Sequence, residues 1–528
     1  MKKSDLSYLV ETLSRHLDSI SARYSVEDIE LSLLSCPNDI SVLSIVQTYI
    51  YLGLEAKAFK ADYPSIIGEK KPFVAHLKKD DEEKFVYVKS ATIDSVVYFD
   101  GNIKKKITSS DFQSQWTGVA IIVNKTPQNS IFGAKCHKYL PYLFLIGIIL
   151  LLCSLCSSII DVVTFLLDVV GFICSLGIIL TQSPLYSLFD KFCIANTKFD
   201  CQKLDLADRL PMLNKKNLGR VGLLYFATRL FIPSLSIWDV DSSAIISIMN
   251  VLALCALTVA LCSLLYQVAI RHYCILCLSV MGVLIVESAI VYFNSNIGLP
   301  LPYDNMSYVI IPILFGVGCL WLAEYMITCK HKLMSQRVNE LKNKRTQDMV
   351  RYYFDSPSKT INNKESISIG NQQAPISITT YISPWCPNCK QIALQMIRLI
   401  KVYSNYVNWH IYFDSLNTAQ FENINNIQIC LCGCLTSNLS EKQKLDVLQN
   451  WYMHKSKRIL RKRFKVMNAN EDQSKAMLLR QIDVIKGVKH VPSVWINGRR
   501  FPDNYSLNDL PFIMLELSMI YSNRDTNH

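Results

Sequence analysis

The sequence predicts a multidomain chain: a small α+β domain, then a polytopic α-helical membrane bundle, then a C-terminal α/β domain with a helical insertion. Three observations predict it. Amphipathic helical patterns near the start give way to alternating apolar and polar runs. Apolar stretches collect in the middle of the chain, each approaching the ~20 residues needed to span a hydrocarbon core. Near the end, a β-rich run passes through Cys386-Pro-Asn-Cys389 into a helical continuation. The 528 residues leave room for three or four domain-sized units, and half of them are hydrophobic, unusual for a wholly soluble protein. The expected divisions are 1–126, 135–329, a basic linker over 330–372, and 373–528.

The first segment, MKKSDLSYLVETLSRHLDS, is charged and amphipathic and lacks the continuous apolar region of a signal peptide. Helical periodicity near 5–21, 26–36 and 40–53 precedes the strand patterns FVAHL, KFVYVKS, SVVYFD and VAIIV. Apolar stretches follow near 139–157, 160–181, 219–236, 244–266, 273–293 and 307–327. The second carries Asp161 and Asp168, which makes it the weakest membrane candidate of the group. Beyond the basic linker the order is strand, C-x-x-C, helix, strand, a long helical insert, then the strand SVWIN.

Eighteen cysteines are too many for an ordinary cytosolic enzyme and too unevenly spread for a small disulfide-stapled scaffold. Three pairs stand out. Cys386 and Cys389 sit where a strand hands over to a helix, and Cys274 and Cys277 open an apolar stretch in HYCILC. Cys193 and Cys201 lie in the intervening loop FCIANTKFDC. A cysteine at a helix N-terminus meets the positive end of the macrodipole and unpaired N–H groups, which favour the thiolate of Cys386. Cys153 and Cys156 share the C-x-x-C spacing but end an apolar stretch, where a helix C-terminus disfavours thiolate. Cys174, Cys255, Cys262 and Cys319 are single and read as small apolar residues. A structural zinc site on Cys386 and Cys389, with ligands from Cys430, Cys432 and Cys434, is the alternative to redox chemistry. The strand–C-x-x-C–helix setting favours redox use, so no metal is expected; ICLCGC receives no role.

The C-terminal unit resembles the thioredoxin superfamily, in SITTYISPWCPNCK and, about one hundred residues later, VKHVPSVWINGRRF. Its helical insert looks like that of the DsbA-like branch. The resemblance implies a cis bond at Val491–Pro492, in a loop that packs beside the active disulfide and pairs with substrate backbone. The membrane unit resembles vitamin K epoxide reductase and its bacterial homologues, in Cys193-x7-Cys201, LGRVGLLYF and HYCILC. That resemblance implies a four-helix core around a quinone, ubiquinone or menaquinone, facing Cys277. It also implies exchange between Cys274 and Cys201, and between Cys193 and the fused thioredoxin-like unit. Met281 stands where some relatives place a quinone-bonding tyrosine.

The N-terminal domain resembles the papain-like cysteine peptidase domain that processes double-glycine leaders in bacteriocin exporters. The resemblance lies in SVEDIELSLLSCPNDISVLSIVQTYIYLGLEAKAF, VYFDG and DFQSQWTGVAIIV. The first helix has no cysteine, Lys84 and Phe85 fall where the family has its histidine, and only Asp100 matches the acidic partner. Without a thiolate–imidazole pair there is no activated nucleophile, so peptidase activity is not expected; Cys36 precedes Pro37 in a turn.

These readings converge on a quinone-dependent thiol–disulfide oxidoreductase. Its partners would be reduced secreted proteins or peptides, the quinone pool and membrane lipids. Accessory leader binding, or reverse flow as a reductase or isomerase, stays open. The formal charge of +12 lies outside the apolar core, in KHKLMSQRVNELKNKR and HKSKRILRKRFK, and is expected to meet lipid head groups or water. No aromatic or glycine pattern of a nucleic-acid reader accompanies it. A bacterial inner membrane is expected, with the redox parts facing the periplasm, where disulfides persist. The lysine- and arginine-free loops opposite the cysteines argue for the reverse orientation.

Overall fold

In the computed structural model, the described residues are 3–124, 159–180, 215–234, 243–270, 273–294, 307–355, 365–414, 426–456 and 471–525, apart from 23, 38–39, 70, 80–81, 102, 486–487 and 489. The chain forms two compact units. One combines Met1–Asn129 with Gln336–His528, and the other is Ser130–Ser335.

The first unit opens with helices α1 (Lys3–Ser19), α2 (Val26–Leu34) and α3 (Val42–Tyr51). The Ser41 hydroxyl accepts from the Ser44 amide and starts α3. Strands β1 (Glu55–Lys60), β2 (Phe73–Lys79), β3 (Glu82–Ala91), β4 (Ser95–Asp100), β5 (Ile103–Thr108) and β6 (Trp116–Asn124) form an antiparallel sheet in the order β1-β6-β2-β3-β4-β5. Short helices α4 (Tyr63–Glu69) and α5 (Ser109–Gln115) complete it. Leu13, Leu17, Ile29, Ile45 and Tyr49 pack on Val74 and Ile121 to make the core.

The second unit contains α6 (Ile159–Leu180), α7 (Lys215–Phe231), α8 (Ser243–Ile270) and α9 (Ile275–Asn294). Helix α10 (Ser307–Lys344) begins in it. Among the described residues, three helical stretches are long and apolar enough to cross a membrane: Ile159–Leu180, Ile275–Phe293 and Ile310–Lys344. The first is the stretch marked weakest for its two aspartates. Its Asp168 is buried against Arg229, so the charge does not face the surroundings. The expected span 139–157 lies outside the described residues.

The linker expected over 330–372 is largely regular structure. Helix α10 runs on to Lys344, α11 (Gln347–Phe354) follows, and Ile367–Gly370 is already strand β7. Lysine, glutamine, glutamate and leucine are good helix formers, so a basic composition there extends the helix. Strands β8 (Ile376–Ile382), β9 (Val407–Phe413), β10 (Ser493–Ile496) and β11 (Arg499–Arg500) join β7 in the order β11-β10-β8-β9-β7, with β8 and β9 parallel. Helix α12 (Pro387–Tyr403) crosses between them. Helices α13 (Asn426–Thr436), α14 (Glu441–His454) and α15 (Glu471–Ile485) form the insertion, and α16 (Leu510–Asp525) closes the unit.

The two sheets of the first unit are tied by α12 and α16. Val402 and Tyr403 pack on the N-terminal core, and Gln47 Nε2 donates to the Pro511 carbonyl at 2.9 Å. Arg345 is fully buried. It donates to Asp509 Oδ1 at 2.8 Å and to Ser35, and its guanidinium lies 3.6 Å from the Phe512 ring centroid. A charge taken from water needs such bidentate partners, and removing one would leave the other stranded.

His16, in the last turn of α1, has Nδ1 2.7 Å from the Tyr49 hydroxyl, and burial pulls its pKa from 6.5 down to about 4. The folded domain therefore rejects the proton that the unfolded chain accepts. Stability is complete above about pH 6.5 and is lost as the pH falls towards 4, by about 3 kcal/mol on this shift. Native-state hydrogen exchange of α1 amides, corrected for intrinsic rates, should show this loss of protection, and His16→Gln should flatten it.

Candidate active site

Strand β8 leads through Ser383-Pro384-Trp385 to Cys386, the N-cap of α12, with Pro387 in the first turn. Proline suits that position because no amide donor is needed there. Cys389, Ala393, Met396, Ile397 and Ile400 form the buried face of α12, at the spacing of one helix side. This geometry separates the two thiols. Cys386 is half-buried at the helix start, whereas Cys389 is fully buried and its sulfur accepts from the Ser383 amide at 3.2 Å. Burial, joined by the neighbouring Cys386 sulfur and the Asp414 charge, pushes the Cys389 thiol up to about 12.

Helix α14 braces the approach. Trp451 Nε1 donates to the Pro384 carbonyl at 3.0 Å and packs edge-on against Trp385, with centroids 5.1 Å apart. Trp385 itself remains 46% exposed, an aromatic surface beside Cys386. The Val491–Pro492 bond is cis. Because Ser493 pairs with Tyr381, antiparallel register sets Pro492 alongside the end of β8, next to the turn that leads to Cys386. Val491 packs on Tyr381 and Tyr412.

Asp414, immediately after β9, was not singled out from sequence. It is largely buried, and its amide donates to the Ile382 carbonyl at 2.9 Å. An acid directly after the strand VNWHIYF is the available signal. The cysteines of α13 lie in the core: Cys434 hydrogen-bonds Cys430, and Cys432 lies 3.9 Å from Met477 Sδ. Among the described residues, no three His, Cys, Asp or Glu side chains are grouped to hold a metal ion.

In the second unit, Cys274 and Cys277 are both buried at the start of α9, beside Phe226, Val280 and Met281. The Cys277 amide donates to Cys274 Sγ at 3.5 Å, and the Cys274 amide donates to Gln267 Oε1 at 3.0 Å. Gln267 is fully buried, and its Nε2 has no hydrogen-bond partner among the described residues. Cys193, Cys201, Cys153 and Cys156 lie outside the described residues.

In the N-terminal domain, one carboxylate gathers three donors. Asp100 accepts from Tyr8 on α1 at 2.8 Å, from Lys84 on β3 at 2.9 Å and from Lys105 on β5 at 2.6 Å. Burial alone would raise the Asp100 carboxyl, but these hydrogen bonds outweigh it and bring it to about 2. Cys36 and His76 are engaged elsewhere. The Cys36 thiol donates to the Ser32 carbonyl at 3.4 Å, and His76 Nδ1 is 3.1 Å from Thr117 Oγ1. Burial pushes the Cys36 thiol up to about 11.

The inequality between Cys386 and Cys389 is directly measurable. In the reduced protein at pH 8, brief iodoacetamide treatment followed by peptide mass mapping should label Cys386 at least tenfold faster than Cys389. Equal labelling would contradict the burial of the second sulfur.

Residues 13–128 match the family model for Peptidase C39 family, and residues 362–513 match a family model for Thioredoxin. A search of curated proteins finds no match. Among solved structures, the peptidase domain of Streptococcus ComA, a bifunctional ABC transporter involved in a quorum-sensing pathway, is similar at 22% identity. The likeness covers 24% of this chain and 95% of that one, with a TM-score of 0.20. Oxidised BdbD from Bacillus subtilis is similar at 11% identity over 32% of this chain and 99% of its own, TM-score 0.24. Chlamydia trachomatis DsbA is similar at 14% identity over 31% and 98%, TM-score 0.22. The chain thus joins a peptidase C39-like N-terminal domain to a thioredoxin-like C-terminal domain, with a helical segment that includes membrane-length helices between them.

Proposed function

We propose that the protein is a membrane-bound thiol oxidase that passes electrons from substrate thiols to a quinone. The observation that carries this reading is the unequal thiol pair of α12: an accessible sulfur at the helix N-cap and a fully buried partner one turn later. A substrate thiolate attacks the sulfur of Cys386 in its disulfide with Cys389, forming a mixed disulfide and releasing Cys389 as the leaving thiolate. A second substrate thiol attacks the mixed disulfide. The substrate leaves oxidised, and Cys386 and Cys389 carry its two electrons. Asp414, whose charge acts on Cys389, is placed to influence the proton that this sulfur gains or loses. Trp385 and the cis Val491–Pro492 loop offer the substrate an apolar face and a strand edge.

The electrons would then move by disulfide exchange through Cys193 and Cys201 to Cys274 and Cys277. The surroundings of that last pair suit a quinone. Phe226, Val280 and Met281 supply an apolar wall, and the unpartnered Gln267 amide supplies one donor for a carbonyl oxygen. A quinone held there would supply a two-electron, two-proton acceptor for the Cys274 and Cys277 thiols, which would join in a disulfide. This order requires the redox parts to face an oxidising compartment, the periplasm of a bacterial inner membrane. Reduced secreted proteins or peptides would be the clients. A second reading, accessory capture of leader peptides, draws on the peptidase C39-like domain, whose framework persists while Tyr8 and Lys84 close on Asp100.

Full-length protein in lipid, given a reduced dithiol peptide and a soluble quinone, should form peptide disulfide and quinol in equal amounts. Cys277→Ala should keep disulfide exchange at Cys386 and lose quinone reduction by at least a hundredfold. Retained quinone reduction in that variant would refute the proposed order.

A further inference from the structure

The helical unit contains a buried charge cluster that thiol chemistry does not use. Asp168 on α6, Tyr225 and Arg229 on α7, and Glu287 on α9 meet where these helices pack. Arg229 Nε donates to Asp168 Oδ1 at 2.7 Å and lies 4.0 Å from Glu287 Oε2, and the Tyr225 hydroxyl donates to Glu287 Oε2 at 3.1 Å. The Asp168, Arg229 and Glu287 side chains are 5%, 9% and 0% exposed. Two of the contributing helices are of membrane-spanning length and apolarity.

The charges do not cancel. Two carboxyls face one guanidinium, and the described parts of the neighbouring elements supply no second cation. Residues 252–268 of α8 contain no Asp, Glu, Lys, Arg or His. Glu324 of α10 pairs with Arg220 at a different level of α7. Asp161 lies seven residues, about two helical turns, from Asp168 on α6. Glu287 Oε1 is buried with no donor among the described residues, while the Asp168 and Glu287 carboxyls approach within hydrogen-bonding reach of one another. Two carboxylate oxygens can share a hydrogen bond only if a proton lies between them, and an uncompensated charge in such surroundings is too costly to persist.

We infer that Asp168 and Glu287 form a proton-binding site, one proton held between the two carboxyls and Arg229 balancing the remaining negative charge. The inference is independent of the quinone reading. It gives the helical unit a ligand of its own, ten residues along α9 from Cys277, about 15 Å by helix rise. Removing either carboxyl leaves one carboxylate for one guanidinium, so neither single variant retains the proton.

Infrared spectra of the full chain in phospholipid nanodiscs at pH 7 test this. The wild type should show the carbonyl stretch of a protonated carboxylic acid, and both Glu287→Gln and Asp168→Asn should lose it. A wild-type spectrum without that band overturns the site even if neither variant folds, and so does a band that both variants keep. A band that disappears when sodium chloride replaces choline chloride assigns the site to a metal cation and overturns it as well.

Discussion

The protein's chemistry depends on where one helix begins. A thiol at the N-cap of α12 stands among unpaired amides and the positive end of the helix macrodipole, and the thiol three residues later turns into the core. One turn of helix thereby makes two chemically similar side chains unequal. The half-buried Cys386 is open to an incoming sulfur, while Cys389 is fully buried. The strand that delivers the pair, the tryptophans that flank it and the loop ending in Pro492 all serve to hold that turn in place.

The same helix is anchored at its other end. Its last residues, Val402 and Tyr403, pack on the core of the peptidase C39-like domain, and Lys401 pairs with Glu55 at 3.0 Å. Buried Arg345 adds a connection through Ser35 and Asp509. Buried ionic contacts of this kind are weak evidence for stability, but they tolerate only one arrangement of partners. The N-terminal domain closes a hydrogen-bonded network on Asp100, and it lies against the end of α12 remote from the cysteines.

Much of this was legible from local pattern. The C-x-x-C between strand and helix, the three N-terminal helices and the alternating strands all rest on contacts between residues near in sequence, which periodicity reports. What escaped was long-range. Arg345 sits in a run that reads as a solvated basic linker, yet its partners Ser35 and Asp509 are 310 and 164 residues away. Asp168 looked like a defect in a membrane helix because Arg229, 61 residues later, is what satisfies it. Tyr8 gave no sign of meeting Asp100, 92 residues on. Asp414 was visible as an acid directly after a strand, but its bearing on Cys389 needed the parallel pairing of β8 and β9. The roles of Cys193 and Cys201 still rest on their spacing and family resemblance.

The direction of electron flow separates an oxidase from a reductase or isomerase built of the same parts, and the resting state of one disulfide reports it. Growing cells quenched in acid, alkylated with a mass-tagged maleimide and resolved by gel shift give the redox state of Cys386 and Cys389 directly. A thiol oxidase predicts that the pair is predominantly a disulfide, becoming reduced when Cys277 is replaced by alanine. A pair found predominantly as thiols in wild-type cells would contradict that account.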